Sequence, residues 1–568
     1  MKKLLPEIPE RVGEVSARRR RVWVLLPVVL LMLAASPLRE NYFEMSKQLE
    51  IMTALFRELN IYYVDELQPG QLMESGIDAM VHSLDPYTVY YPESRVEDLR
   101  FMTTGEYGGI GASIQFMNGQ HTIVDVLPGF PADKSGLTIG DILLSVNGTN
   151  LADVGEAVVP EMLQGASGSE VSVTFKRYGS EEPVDLVLTR EKIKLPAVPF
   201  RSVVRDSTGY IILSAFTRGS SFEVRQALRY LQDSVGINQL VLDLRGNGGG
   251  LLQESISIVN LFVDKGQEVV STRGKNDEWM KSYTTRGEPV APDLPLAVLI
   301  DGQSASASEI VAGTLQDLDR AVVVGQESFG KGLVQQTKQL AYGTRLKVTV
   351  AKYYTASGRC IQRLDYGGER LEDGQALAVA DSAIQIFYTK NGRPVVDGKG
   401  VQPDVHVDIP YMSYVLEGLY LNGVLFDFAN QWVYEHDSIV PAAEFALPGA
   451  GWDAFVAFAE QKEAVSYESE SAKIWEELLK AAEYEHYIDE EGAAFEAFSG
   501  VLAPDIQRDL NRFRPEIQTA LEEEIILRFY LQDGVIDWMI PQDSVLQHSI
   551  DLLSSGEGQR LLLGPQNP

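Results

Sequence analysis

Three short segments carry side chains that could make and break an acyl bond. The first, Ser304-Ala305-Ser306-Ala307-Ser308-Glu309, follows the apolar run Leu296 to Ile300 and leads into Ile310, Val311 and Leu315 at helical spacing. A serine at such a strand-to-helix junction meets unpaired helix amides and the positive end of the helix dipole, where developing negative charge is stabilised. Serines at helix starts also serve as caps, and spacing leaves Ser304, Ser306 and Ser308 equivalent. A neutral hydroxyl is a poor nucleophile and needs a base. His82, His121, His406, His436, His486 and His548 lie in segments without glycine-rich or serine-rich companions, so none reads as a triad base. Lys331, in Phe329-Gly330-Lys331-Gly332 directly after the apolar Ala321 to Val324, is better placed. An ammonium has no lone pair, so this lysine can act as a base only if burial lowers its pKa toward neutrality. Phe329, Leu333 and Val334 are the neighbours expected to keep it dry; the alternative is a solvated loop lysine. The third segment, Leu242-Asp243-Leu244-Arg245-Gly246-Asn247-Gly248-Gly249-Gly250, is a strand ending in a glycine loop. Acyl transfer needs two donors aimed at the oxyanion, and the amide of Gly248 or Gly249 with that of Ala307 would supply them. A phosphate loop would need Gly-Lys-Ser/Thr after the glycines, and a metal site a spacing such as His-Glu-x-x-His; neither occurs, so no metal and no cofactor is expected.

These segments need a frame to hold them. From about Leu195 to Pro410, apolar strands (Gly209 to Leu213, Leu240 to Leu244, Leu296 to Ile300, Ala321 to Val324) alternate with helices beginning near Ser220, Leu251 and Ser306, which predicts an α/β layer with crossover helices. Upstream, Asn41 to about Leu99 is helical in pattern, with a turn at Ser83-Leu84-Asp85-Pro86-Tyr87. From Thr103 to Lys194 short strands separated by glycine turns take over. There Gly108-Gly109-Ile110-Gly111 precedes the strand-like Ala112 to Phe116, so the amides of Gly108, Gly109, Ile110 and Gly111 can turn toward one point as a carboxylate cradle. The strand leading out offers an edge for an extended peptide. With Pro128-Gly129-Phe130-Pro131-Ala132, Ser135-Gly136-Leu137 and Gly140-Asp141-Ile142-Leu143 in order, the segment resembles the PDZ domain.

At 568 residues, with 45% apolar and 23% charged residues, the chain is long enough for about three or four folded units. Its 49 basic and 80 acidic residues give a net charge of −31, which repels phosphates and excludes nucleic acid as an expected partner. One cysteine, Cys360, allows no intramolecular disulfide. The basic block Arg18 to Arg21, the apolar Val22 to Ala35 and then Ser36-Pro37 follow the order of a secretory signal, with an uncleaved membrane anchor as the second reading. Either places the bulk of the chain outside the cytoplasm, in the periplasm or facing it from the membrane. Acidic helical stretches follow Pro410.

Taken together, the motifs resemble the C-terminal processing peptidases, the tail-specific, PDZ-containing serine proteases of S41 type, over about Tyr63 to Asp408. Tyr353-Tyr354-Thr355-Ala356-Ser357-Gly358-Arg359 and Gly400-Val401-Gln402-Pro403-Asp404 add to the match, with Ala356 and Cys360 as modest departures. The resemblance implies Ser306 as nucleophile, Lys331 as base and Gln335 as an assisting residue. It also implies a multidomain α/β protein: a β-rich PDZ-like domain and a crotonase- or ClpP-like protease core, flanked by helical regions. The expected layout is a signal peptide or anchor over 1–40, a helical region over 41–102, the PDZ domain over 103–192, the protease core over 193–410 and a helical acidic extension over 411–568. Lys331 and Gln335 lie about 13 Å apart on a fully extended strand, so they can meet only if long side chains converge or the chain bends, with Gly332 the expected place. The function expected is an exported serine endopeptidase that recognises the free apolar C-termini of polypeptide substrates through its PDZ domain; gating by that domain, homo-oligomer formation and membrane attachment through the N-terminus stay open. The rivals are a catalytically silent PDZ scaffold that binds peptides and a crotonase-like acyl-thioester enzyme.

Overall fold

The computed structural model describes residues 42–180, 182–371, 374–409, 411–462 and 467–564, apart from the side chains of 489–491. The signal or anchor expected over 1–40 lies outside the described residues. The chain divides into two compact units, Met1–Ser83 and Leu84–Pro568. The first carries a helix over 42–62 and a second, Pro69–His82, whose leading proline costs nothing because the first helical amides have no acceptor. Among the described residues no helix is long and apolar enough to cross a membrane.

Among the described residues the second unit holds three large sheets and three two-stranded ones. Its centre is a six-stranded sheet in the order Phe200–Val204, Thr208–Ile212, Gln239–Asp243, Leu296–Ile300, Val322–Gly325 and Val405–His406. The first pair is antiparallel and the rest are parallel. Parallel strands covered on both faces need apolar residues on both, which is why these runs read as continuous rather than alternating. One set of side chains, including Leu240, Leu242, Val298 and Val323, packs under the helices Ser220–Arg229, Leu252–Val259 and Ala307–Asp317. The alternate set, Tyr210, Val241, Ala297, Leu299, Val322 and Val324, is covered by Val545, Leu546, Ile550, Leu552 and Leu553 of the C-terminal helix Ser544–Ser554. The extension after residue 410 therefore completes the core.

A five-stranded antiparallel sheet flanks this layer. Arg345–Thr355 pairs with Val89–Tyr91, Glu268–Gly274 and Leu333–Gln339, and Lys281–Thr284 forms the far edge. The expectation of helix up to about Leu99 is corrected here. Asp85 Oδ1 accepts from the amides of Tyr87 (2.9 Å) and Thr88 (2.8 Å), which turns the chain into the strand Val89–Tyr91; helix resumes at Val96–Thr104. The PDZ sheet runs Ala112–Met117, Gln120–Val126, Ile142–Val146, Glu170–Lys176 and Val184–Thr189, with Ala112–Met117 at an open edge. Helices Tyr414–Leu421, Val424–Glu435, Gly449–Gln461 and Arg514–Met539 enclose a separate apolar core containing Trp452, Phe455, Leu425 and Ile525.

Candidate active site

Ser306 is the N-cap of the wholly buried helix Ala307–Asp317 and adopts φ 55° and ψ −107°. A non-glycine residue held there costs about 1–3 kcal/mol, a strain that persists only where neighbours impose it. The imposing group is Glu309. Its Oε2 accepts from the amides of Ser306 (2.7 Å) and Lys331 (2.9 Å), and its Oε1 from the amide of Gly330 (2.7 Å) and the hydroxyl of Ser328 (2.6 Å). One carboxylate oxygen thus brings the backbones of serine and lysine within two hydrogen-bond lengths of each other. The hydroxyl of Tyr353 closes the other side, 2.6 Å from the Lys331 carbonyl and 3.1 Å from that of Ser306. Among the three candidate serines, Ser304 Oγ donates to the Leu244 carbonyl (2.8 Å) and Ser308 Oγ to that of Asn247 (2.8 Å). The Ser306 hydroxyl donates to no acceptor among the described residues.

Lys331 Nζ stands 4.1 Å from the centroid of the Tyr87 ring. Burial pushes its pKa down to about 8, the like charge of Lys347 adding to the effect while Glu309 and Asp85 oppose it. The dry wall differs from the one expected: Phe329 is 43% exposed, and Tyr87, delivered by the Asp85 turn, takes its place beside buried Leu333. Glu309 has no solvent contact, and burial pushes its carboxyl up to about 7 against its four donors.

Gly249, at φ +97°, lies so close to Ser306 that an added Cβ would stand 2.6 Å from the Ala305 oxygen and 2.9 Å from both the Ala307 nitrogen and Ser306 Cβ. Its own amide donates to Asn247 Oδ1 (2.9 Å), so of the two expected glycine donors Gly248 is the one whose amide is left free. The amides of Gly248 and Ala307 have no acceptor among the described residues, and the loop is pinned by the Gly246 amide on Asp301 (3.0 Å). The chain bends between Val334 and Gln335 rather than at Gly332, and Gln335 Nε2 donates to Thr349 Oγ1 (3.2 Å) with no hydrogen bond to Lys331.

Of the four residues expected to form a carboxylate cradle, only Ile110 and Gly111 lie in a turn. Gly108 and Gly109 belong to the strand Glu106–Gly109, paired with Glu191–Lys194, because Gly108 must pass Gly165, whose oxygen an added Cβ would meet at 2.0 Å. Ile110 and Gly111 form the turn, their carbonyls accepting from the amides of Ala132 (2.8 Å) and Leu127 (2.9 Å). Glu309, Tyr87 and Tyr353 were not singled out from sequence. Glu309 was legible as the fourth residue of a Ser-x-x-Glu capping box; the two tyrosines lie in segments the sequence marks, but nothing local shows that they close the lysine in.

Residues 207–368 match the family model for peptidase family S41, 122–177 that for the PDZ domain, and 415–553 that described as "Probable PDZ-protease, C-terminal helical domain". The carboxy-terminal-processing protease of Bartonella bacilliformis is 36% identical over 344 residues, covering 60% of this chain and 78% of that one. A "Probable CtpA-like serine protease" of Staphylococcus aureus is 31% identical over 358 residues, covering 63% and 64%. Among solved structures, a photosystem II D1 C-terminal processing protease aligns at 28% identity over 64% of this chain and 93% of its own, with a TM-score of 0.35.

Proposed function

The chain belongs to peptidase family S41, the carboxy-terminal-processing serine proteases, and from that footing we propose that Ser306 is its nucleophile and Lys331 its base. The observation that carries this reading is the single Glu309 oxygen that accepts from both residues' amides. Lys331, neutral, takes the Ser306 hydroxyl proton as Oγ attacks the scissile carbonyl carbon. The amides of Gly248 and Ala307 receive the oxyanion. As the tetrahedral intermediate collapses, the C–N bond breaks, Lys331 returns its proton to the departing amine, and Ser306 retains the acyl group. Water then attacks the ester carbonyl as Lys331 takes its proton, and the C–O bond to Ser306 breaks as Lys331 returns that proton to Oγ, releasing the new C-terminus. Gln335 assists by keeping the strand after Lys331 in register through Thr349.

The substrate is a polypeptide with a free apolar C-terminus, held at the turn Ile110-Gly111 and paired along the open edge Ala112–Met117, and this capture gates the site. The basic block and apolar run at the N-terminus support an exported protein. An unfolded protein bearing an apolar or a charged tail, incubated with wild type, Ser306→Ala and Lys331→Ala, tests the reading. Cleavage of the apolar-tailed substrate by wild type alone is expected. Equal cleavage by Ser306→Ala overturns the nucleophile, and tail binding without cleavage by wild type favours the scaffold.

A further inference from the structure

The C-terminal helices also touch the PDZ domain, and they do so through close backbone approaches. Added Cβ atoms at Gly140 and Gly179 would stand 2.7 Å from Asn430 Oδ1 and 2.4 Å from the Tyr434 ring, both on the helix Val424–Glu435. At the turn before that helix, a Cβ on Gly423 would lie 3.1 Å from the Asn118 side chain and 3.2 Å from that of Met117. Tyr178 meets Tyr434 edge to face at 6.0 Å, and Asn430 is fixed by Arg528 Nε at 2.7 Å. Beside these seats lies a cavity of 350 Å³, within the range of about 300–1,000 Å³ typical of ligand pockets. Gln115, Met117 and Val124 line its PDZ side, and Leu421, Phe426 and Leu527 its helical side. Glu524 also borders it, but its carboxylate is paired with Arg528 at 2.7 Å, so it brings no free charge.

The register of the edge strand connects this cavity to the peptide. Ala112 and Ile114 pack into the PDZ core with Ile123 and Val126, so Ser113, Gln115 and Met117 face the opposite side; Phe116, of the same parity as Ala112 and Ile114, packs on His121 and reaches the cavity only from the end of the strand. A peptide added to the open edge shares the two faces of the sheet, with its carboxylate at Ile110-Gly111 and its upstream residues running toward Met117. If its last side chain faces inward with Ala112, the residues opposite Gln115 and Met117, third and fifth before the terminal one, face the C-terminal helices.

We propose that the cavity between the PDZ sheet and the C-terminal helices is a second reading site for the substrate tail, taking a bulky apolar side chain at the third or fifth residue before the terminal one. It rests on the reading that the PDZ edge captures tails. The test uses the full chain carrying Ser306→Ala and fluorescent decapeptides with a constant apolar terminal residue, with Ala, Phe or Asp placed singly at the first to sixth residues before it. Phe should bind roughly tenfold tighter than Ala at the third or fifth position alone, the effect of burying one large side chain, and Asp should bind more weakly than Ala there. Leu421 is 79% exposed, so Leu421→Asp should keep the melting temperature and the affinity for the Ala peptides while abolishing the Phe preference. A flat scan, a preference only at the second or fourth position, or a preference surviving Leu421→Asp overturns the proposal and leaves tail capture standing. Failure of every apolar-ended peptide to bind overturns tail capture, and this site with it.

Discussion

At the scale of single residues, one carboxylate, that of Glu309, holds the backbones of Ser306 and Lys331 together. Its two oxygens accept four donors with no solvent to compete. In Glu309→Gln, an amide NH2 must face amide donors, and hydrogen bonds to a charged group are worth about 1.5–3 kcal/mol each. We expect kcat/KM on a tailed protein to fall by about 100-fold or more, with a lowered melting temperature; peptidase assays and thermal unfolding check both. The pH dependence follows from two shifts. Glu309, near 7, is ionised once the pH passes that value, and Lys331, near 8, is neutral only above its own. Both required states coexist above about pH 8, so kcat/KM should climb as pH rises from 6 to 9 with its midpoint near 8. Lys331→Arg keeps its proton throughout this range and should show no rise.

At the scale of elements, the site is a strand-to-helix junction clamped by a glycine loop and a β-bulge. Gly249→Ala would drive a Cβ into Ala305 and Ala307 at a positive φ. A kcat loss of at least about 100-fold is expected, comparable to losing an oxyanion donor, with circular dichroism unchanged; intact kcat would refute the close approach. Much of this frame was legible. The strand Leu296–Ile300 and the helix starting beside Ser306 follow from continuous apolar runs and a capping box, signals that lie within a few residues of each other. What stayed hidden depends on distant pairing. Val89–Tyr91 is too short to announce itself and becomes a strand only because Arg345–Thr355 offers an edge. The spent Gly249 amide needs Asn247 to fold back on it, and the Tyr87 wall over Lys331 joins segments separated by most of the PDZ domain and core.

At the scale of the whole molecule, the C-terminal extension belongs to the catalytic frame as well as to the PDZ seat. Arg245, which opens the glycine loop, is gripped by Asp243 (2.6 Å) and by Asp543 (2.5 Å). Asp543 also caps the sheet-covering helix, accepting from the Leu546 amide at 2.9 Å. Asp543→Ala removes a charge pair and a cap together, a loss of about 2–4 kcal/mol that denaturant unfolding would measure. Asp543→Asn should recover the share due to the cap, about 1 kcal/mol. Identical destabilisation by the two variants would contradict the double role. The sequence showed this region as helical and acidic but not what it covers, because the alternation that exposes a second apolar face on buried parallel strands is masked when both faces are apolar.

Phosphonylation of Ser306 by a fluorophosphonate, in which Oγ displaces fluoride from phosphorus, followed across pH 6 to 10 in wild type and Lys331→Ala, bears most directly on the proposal that Lys331 acts in its neutral form. Labelling in wild type should accelerate with a midpoint close to pH 8 and be lost in Lys331→Ala. A rate indifferent to pH, or equal labelling in the variant, would show that Lys331 is not the base.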